Sequence, residues 1–114
     1  MVQVIFPNSE ILECDVADNF FTRIRGLSNV KEKKALLFKF PFLARWSFWM
    51  PNMHYPVYLI FMDFKKQVVD IKYAKPLGLN IKNWKVYKPK RACKFVLETP
   101  FKHDVKEGCI LKFE

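Results

Sequence analysis

The chain has 114 residues, of which 51% are hydrophobic and 17% aromatic, so it can bury a core and is not intrinsically disordered. Its 20 basic and 11 acidic residues give a net charge of +9, which favours high solubility or a partner rich in phosphate or acidic groups. Residues 33–95 carry fourteen of the bases and two of the acids, so the positive charge is concentrated in the middle of the chain. The length predicts one domain spanning residues 1–114.

The first part of the chain predicts a hairpin followed by a helix. Residues 2–6 are rich in β-branched side chains and end at a Pro-Asn-Ser turn, and residues 12–16 alternate between apolar and polar. These two runs predict paired strands. Asp18 is a suitable N-cap, and apolar residues follow it at i, i+4 and i+7, which predicts a short α-helix near residues 18–27.

The remainder of the chain predicts short strands. Residues 57–62 are apolar on both faces, which is typical of a central strand covered on both sides. Residues 68–73 are the predicted antiparallel partner, with Val69, Ile71 and Tyr73 facing inward. Further strands are predicted at 36–40, 46–50, 93–97 and 109–113, whereas 77–90 shows no clear period. The chain therefore predicts a mainly β fold, a compact antiparallel β-sandwich or barrel of about seven to eight short strands with one helix.

The cysteines and the apolar segments indicate a compartment. Cys14, Cys93 and Cys109 are odd in number and widely spaced, which predicts reduced thiols in a reducing environment. The N-terminus lacks the features of a signal peptide. The longest uncharged run, residues 46–62, is 17 residues long and contains two prolines, so no membrane span is predicted. These features predict a cytoplasmic protein.

An ordered set of short motifs resembles a known family. The motifs, in chain order, are Val16-Ala17-Asp18, Arg25-Gly26-Leu27, Leu36-Leu37-Phe38, Phe48 to Asn52, Pro56, Phe61-Met62-Asp63, Val68, Pro76, Val96-Leu97-Glu98 and Gly108. Together they resemble the domain of unknown function 192 family, also known as uncharacterised protein family 0127. The resemblance implies a compact β-rich fold with one helix and no established activity. It extends from about Glu13 to the C-terminus, and the absence of a leader resembles the cytoplasmic members.

The sequence also departs from the family pattern. Met53 and Tyr58 occupy positions at which the family usually has Thr and Asp, so a hydroxyl and a carboxylate are absent. Cys109 similarly follows Gly108 in place of an acid. A family site that depended on those polar groups would be altered in this chain.

The segment from Trp49 to Tyr55 is the predicted binding region for a small molecule or peptide. Aromatic and methionine side chains offer large contact area, and prolines pre-order the backbone. The candidate ligand-binding residues are Asn52, His54, Tyr55, Asp63 and Glu98. The alternative interpretation is that this segment is the end of a core strand followed by a tight turn, with Asn52 bonded to local backbone and Asp63 in a turn.

A basic stretch supports a second function, binding of RNA or single-stranded DNA through the Lys65–Lys94 face. Cations would contact phosphates, and rings would stack on bases. The candidate residues are Lys82, Trp84, Lys85, Tyr87, Lys88, Lys90, Arg91 and Lys94. The alternative is that the rings face inward and the lysines are solvated.

No catalytic residue, metal ligand or cofactor is predicted. Glycine-rich nucleotide motifs are absent from the sequence, and neither His54 nor His103 has a second ligand at metal-site spacing. An enzyme built from scattered cysteine, histidine and acidic residues is a third alternative. The sequence therefore favours a non-enzymatic binding module.

Overall fold

A computed structural model describes residues 1–18, 34–49, 55–75 and 86–114. These residues form eight β-strands and no α-helix, and none of them belongs to a helix able to cross a membrane. The strands are β1 Val2–Ile5, β2 Ile11–Ala17, β3 Ala35–Ala44, β4 Phe48–Trp49, β5 Val57–Met62, β6 Val68–Ala74, β7 Val86–Tyr87 and β8 Cys93–Thr99. The prediction of a mainly β fold is confirmed.

Six strands form one mixed sheet in the order β1-β2-β3-β8-β5-β6, and β4 pairs with β7 in a separate two-stranded sheet. Strands β2 and β3 are parallel, whereas the other neighbours in the large sheet are antiparallel. Parallel neighbours require a long crossover connection. The helix predicted near residues 18–27 falls in this connection, and residues 19–33 lie outside the described part of the chain.

The barrel alternative is wrong, and the sheet is not purely antiparallel. Strands β1 and β6 form the two edges of the large sheet and do not pair with each other in the described structure. Alternation of apolar residues identifies a strand but carries no information about the direction of its neighbour. The parallel β2–β3 pair was therefore not predictable from that pattern. The sandwich arrangement stays a prediction.

The large sheet is covered by apolar side chains on both faces. Its first core cluster includes Leu59 and Phe61, and its second includes Ile60 and Met62, so successive residues of β5 face opposite clusters. Strand β5 lies between β8 and β6. The prediction of a central strand buried on both sides is confirmed.

A bulge between β5 and β6 overturns part of the predicted orientation of β6. Phe61 pairs with Asp70 and Met62 with Val68, so Val69 is an extra residue in the ladder. Val69 is buried in the first cluster as predicted, whereas Ile71 packs against the second. Tyr73 was predicted to face inward but is 47% exposed and packs on Tyr58, with ring centroids 4.9 Å apart.

The C-terminal segment, residues 109–114, covers the second cluster without forming a continuous β-strand. Its pairing consists of isolated bridges, Ile5 with Lys112 and Gln67 with Ile110, so the predicted closing strand is present as two bridges. Leu111 and Phe113 are buried in the second cluster. The Lys66 ammonium donates to the Phe113 carbonyl and lies 4.6 Å from the centroid of its ring, which fastens this segment to the β5–β6 turn.

Candidate functional site

Glu98 is a buried acid within an apolar layer. In the large sheet it lies directly between Leu36 of β3 and Leu59 of β5, and both leucines belong to the first core cluster. Because directly opposed residues share a face, the Glu98 side chain points toward that cluster. The residue is 2% exposed. The Glu98 carboxyl, near the end of β8, is thus buried among apolar side chains.

The Glu98 carboxyl has an unsatisfied oxygen. Its Oε2 atom is buried and has no hydrogen-bond partner among the described residues. Burial raises the pKa of Glu98 to about 8, because the carboxylate would be desolvated without compensation. The group therefore holds its proton at neutral pH and can donate one hydrogen bond and accept others.

Tyr55 lies on the same side of the sheet and is 6% exposed within the first cluster. Burial raises the pKa of the Tyr55 hydroxyl. A hydrogen bond from the backbone N–H of Lys34 acts in the opposite direction, and the negative charge of ionised Glu98 adds to the increase. The phenol therefore lies within electrostatic reach of both Lys34 and Glu98.

An ion pair forms the polar rim of this region. The Lys34 ammonium is 3.0 Å from the Asp15 carboxylate, and both side chains are roughly half exposed. Asp15 opposes Leu36 in β3, which in turn opposes Glu98, so Asp15 and Glu98 point to the same face. A solvated pair of this kind contributes little to stability. Its position nevertheless gives the region a charged edge beside a buried neutral acid.

Aromatic side chains form a second part of the first cluster. Phe38 meets Phe48 edge-on, with centroids 5.0 Å apart, and Phe40 stacks on the partly buried Trp46 at 4.4 Å. Stacked and edge-on contacts of this kind are favourable geometries for aromatic pairs and stabilise the cluster. The rings of Phe38, Phe40 and Phe48 are therefore part of the core.

The structure brings together two of the five predicted ligand-binding residues. Tyr55 and Glu98 share one face of the sheet and one cluster. Asp63 follows β5 at its other end, four residues beyond the Leu59 that opposes Glu98, which is roughly 13 Å along the strand. Asn52 and His54 lie outside the described residues.

Asp63 organises a turn. Its Oδ1 accepts hydrogen bonds from the backbone N–H groups of Lys65 at 2.8 Å and Gln67 at 3.0 Å. We expect Asp63→Ala to lower the free energy of unfolding by about 1–2 kcal/mol, because two backbone donors lose their partner. Asp63→Asn, which keeps an oxygen acceptor, should recover most of the loss in urea denaturation. An alanine variant as stable as the wild type would contradict this role.

The basic stretch is only partly described. Lys82, Trp84 and Lys85 lie outside the described residues. Lys88, Lys90 and Arg91 are exposed, the Lys90 ammonium pairs with Glu107, and the Lys94 ammonium lies 5.9 Å from the Phe95 ring centroid. The Tyr87 ring is 8% exposed in the first cluster, and its hydroxyl accepts the Lys75 N–H, so this ring packs inward.

The cysteines are free thiols in the described structure, and Cys14 and Cys93 are buried. Burial raises the pKa of Cys14 to about 12 and that of Cys93 to about 11, which keeps both thiols protonated at neutral pH. Cys93 belongs to the first cluster, whereas His103 stacks on Phe6 of the second. Cys93 and His103 therefore lie on opposite faces of the sheet.

No three potential metal-ligating side chains converge among the described residues.

Sequence reasoning missed a second polar group of residues. His103 is hydrogen-bonded to both Glu10 and Thr99, although 93 positions separate Glu10 from His103. His103 was considered only as a metal ligand or as the partner of a cysteine. No local spacing signals a contact between such distant residues.

An open mixed sheet with a buried acid on one face and a C-terminal segment across the other defines a small β-rich protein. Residues 3–111 match the family model DUF192, described as Uncharacterized ACR, COG1430. The chain belongs to this family, and the predicted resemblance is confirmed. The family's function is uncharacterised.

Curated relatives support the same assignment. A UPF0127 protein of Pyrococcus abyssi is 34% identical over 88 residues, which are 75% of this chain and 69% of the relative. A UPF0127 protein of Thermococcus sibiricus is 38% identical over 88 residues, 75% of this chain and 53% of the relative. The match to the latter thus spans about half of its length.

Two crystal structures are similar in fold. A protein described as a "putative transcription regulator" from Sinorhizobium meliloti 1021 superposes with a TM-score of 0.82 at 20% identity, covering 98% of this chain and 91% of the other. A protein of unknown function from Novosphingobium aromaticivorans gives 0.81 at 18% identity, covering 97% of this chain and 82% of the other. At this level of identity the similarity concerns the fold alone.

Proposed function

We propose that the protein is a non-enzymatic binding module that holds a small molecule or peptide segment beside Tyr55 and Glu98. The observation that carries the proposal is the Glu98 Oε2 atom, which is buried without a hydrogen-bond partner. Buried polar atoms in native proteins are nearly always paired, and an unpaired one costs about 1–3 kcal/mol. A ligand that bonded this oxygen would recover that free energy.

The chemistry of the acid favours a ligand with an oxygen acceptor. Burial holds the Glu98 carboxyl in its neutral form, which presents an O–H donor. A carbonyl or carboxylate oxygen accepts such a proton. A cationic ligand would instead require ionised Glu98 and would approach a protein of net charge +9. We therefore infer that the ligand carries a carbonyl or carboxylate group.

The segment preceding Tyr55 completes the proposed site. Asn52 and His54 precede Tyr55 by three residues and one residue, and their amide and imidazole groups would supply further hydrogen bonds. The aromatic wall of Phe38, Phe40 and Phe48 supplies apolar surface in the same cluster. Met53, which replaces the usual Thr, would leave the ligand with one hydroxyl contact fewer, whereas Tyr58 lies on the other face of the sheet.

Binding is testable by thermal shift with a panel of small carboxylates, amides and primary amines, followed by calorimetry. We expect a carboxylate or amide to bind the wild type and to lose at least about tenfold in affinity in Glu98→Met, because the donor is removed. Glu98→Gln keeps an N–H donor and should retain most of the affinity. Glu13→Gln, an exposed acid on β2, is the matched control. Hits that bind Glu98→Met as tightly as the wild type would refute the proposal.

A second candidate is binding of RNA or single-stranded DNA through the basic face. The net charge of +9 and the exposed Lys88 and Arg91 support it, and the Sinorhizobium meliloti protein of similar fold is described as a "putative transcription regulator". The inward packing of Tyr87 removes one of the rings proposed for stacking. Affinity for single-stranded oligonucleotides that falls steeply with salt, and that Lys85→Glu with Lys88→Glu abolishes, would support this function.

A further inference from the structure

His103 is held between partners from distant parts of the chain on the face opposite to Glu98. Its Nδ1 is 3.0 Å from the Glu10 carboxylate, its Nε2 is 3.0 Å from the Thr99 hydroxyl, and its ring stacks on Phe6 with centroids 4.3 Å apart. The side chain is 1% exposed. When the Glu10 carboxylate accepts a hydrogen bond from Nδ1–H, the Nε2 of a neutral imidazole accepts a hydrogen bond from the Thr99 hydroxyl.

This chain of hydrogen bonds fixes the backbone that follows β8. The Thr99 hydroxyl also accepts the Phe101 N–H at 3.2 Å, and the Val105 N–H donates to the His103 carbonyl at 3.0 Å. Both imidazole nitrogens are occupied, and Thr99 is fully buried, so the hydroxyl is not placed to attack a substrate. The group therefore positions residues 99–105 and is not a catalytic triad.

A pocket of about 120 Å³ lies between this backbone and the sheet. Tyr58, Ile60 and Ile71 line it from the sheet, and Phe101, Lys102 and His103 line it from the positioned segment. Phe101 is 43% exposed, so it stands at the protein surface. Since Ile60 faces the second core cluster, the pocket lies on the opposite side of the sheet from Glu98.

The size and the lining of the pocket define one occupant. An apolar cavity of about 150 Å³ in another protein holds benzene, and this pocket of about 120 Å³, which opens at the protein surface, is close to the size of one six-membered ring. Tyr58 and Phe101 supply aromatic surface against which such a ring can pack.

The charge at the pocket adds a requirement for an anion. Lys102 is exposed, and its ammonium makes no ion pair with a described residue. The net charge of +9 favours anions further. We propose that this pocket binds a small molecule with a single six-membered aromatic ring that bears a carboxylate or a phosphate monoester. The ring lies between Tyr58 and Phe101, and the anion pairs with Lys102.

The proposal is tested by titrating the intact protein with 4-fluorobenzoate, 4-fluorophenyl phosphate and the neutral 4-fluorobenzyl alcohol, observed by fluorine NMR. The δ-methyl signals of Ile60 and Ile71 report whether the ring enters the pocket. We expect saturable binding of at least one anion with shifts of both methyl signals, and the tighter anion identifies the class. The alcohol should bind at least about fivefold more weakly, because it cannot pair with Lys102.

Matched variants separate the contributions. Lys102→Met should weaken binding of the anion about fivefold or more, whereas Lys106→Met, an exposed lysine that does not line the pocket, should leave it unchanged. Equal binding of the alcohol, unchanged Ile60 and Ile71 signals, or no saturation by about 10 mM of either anion would overturn the proposal.

Discussion

The wild-type protein is expected to lose stability as the pH rises from about 5 to about 8, and a Glu98→Gln variant is expected to lose much less. The folded-state pKa of Glu98 is about 8, whereas its unperturbed value is 4.5. Between these values the folded protein binds more protons than the unfolded chain, so the free energy of unfolding falls as the pH increases. The contribution of Glu98 is fully favourable below pH 4.5 and is lost as the pH passes through 8.

The expected loss is on the order of 3–5 kcal/mol, because each unit of pKa difference corresponds to about 1.4 kcal/mol. For a chain of this length it corresponds to a decrease in Tm of more than roughly 10 °C. Urea denaturation across this pH range measures it directly. The difference between wild type and Glu98→Gln isolates the contribution of Glu98, and Glu13→Gln should follow the wild type. Parallel pH profiles for wild type and Glu98→Gln would show that the buried carboxyl does not titrate in this range.

Removal of a large buried side chain from the central strand β5 should produce the other large effect on stability. Phe61 is fully buried in β5 and meets Phe48 edge-on, with centroids 5.9 Å apart. We expect Phe61→Ala to lower the free energy of unfolding by about 3–5 kcal/mol, because it removes apolar burial and leaves a cavity.

Phe64 provides the matched control, since it lies three residues further along and is 61% exposed. Phe64→Ala should change the unfolding free energy by no more than about 0.5 kcal/mol. Equilibrium urea denaturation of both variants makes the comparison. Similar losses for Phe61→Ala and Phe64→Ala would contradict the placement of β5 at the centre of the core.

The strands were predictable where side-chain periodicity reflects burial. Residues 57–62 are apolar at every position, and β5 is buried on both faces. The same periodicity does not identify the buried side of β8, where the polar residues Lys94 and Glu98 lie on one side of the strand. Both faces of the sheet are covered by apolar residues. Val96 and Glu98 therefore face the first cluster, and Glu98 is buried although it lies on the polar side of the strand.

Features that depend on distant segments could not be predicted. The parallel pairing of β2 with β3 depends on a crossover connection, and the bulge at Val69 depends on the register with β5. The contact between Glu10 and His103 joins the turn before β2 to the segment after β8. Glu98 was selected as a candidate because the family pattern retains it, but only the fold shows that its Oε2 atom is buried and unpaired.

The proposed site depends on the protonation state of the Glu98 carboxyl. Carbon-13 NMR of the side-chain carboxyl groups, assigned by comparison with Glu98→Gln and followed from pH 3 to pH 10, measures it directly. We predict that the Glu98 signal titrates near pH 8, well above the ordinary glutamate pKa of 4.5. Titration of this carboxyl near pH 4.5 would show that it is ionised at neutral pH, and would contradict a buried neutral acid at the site.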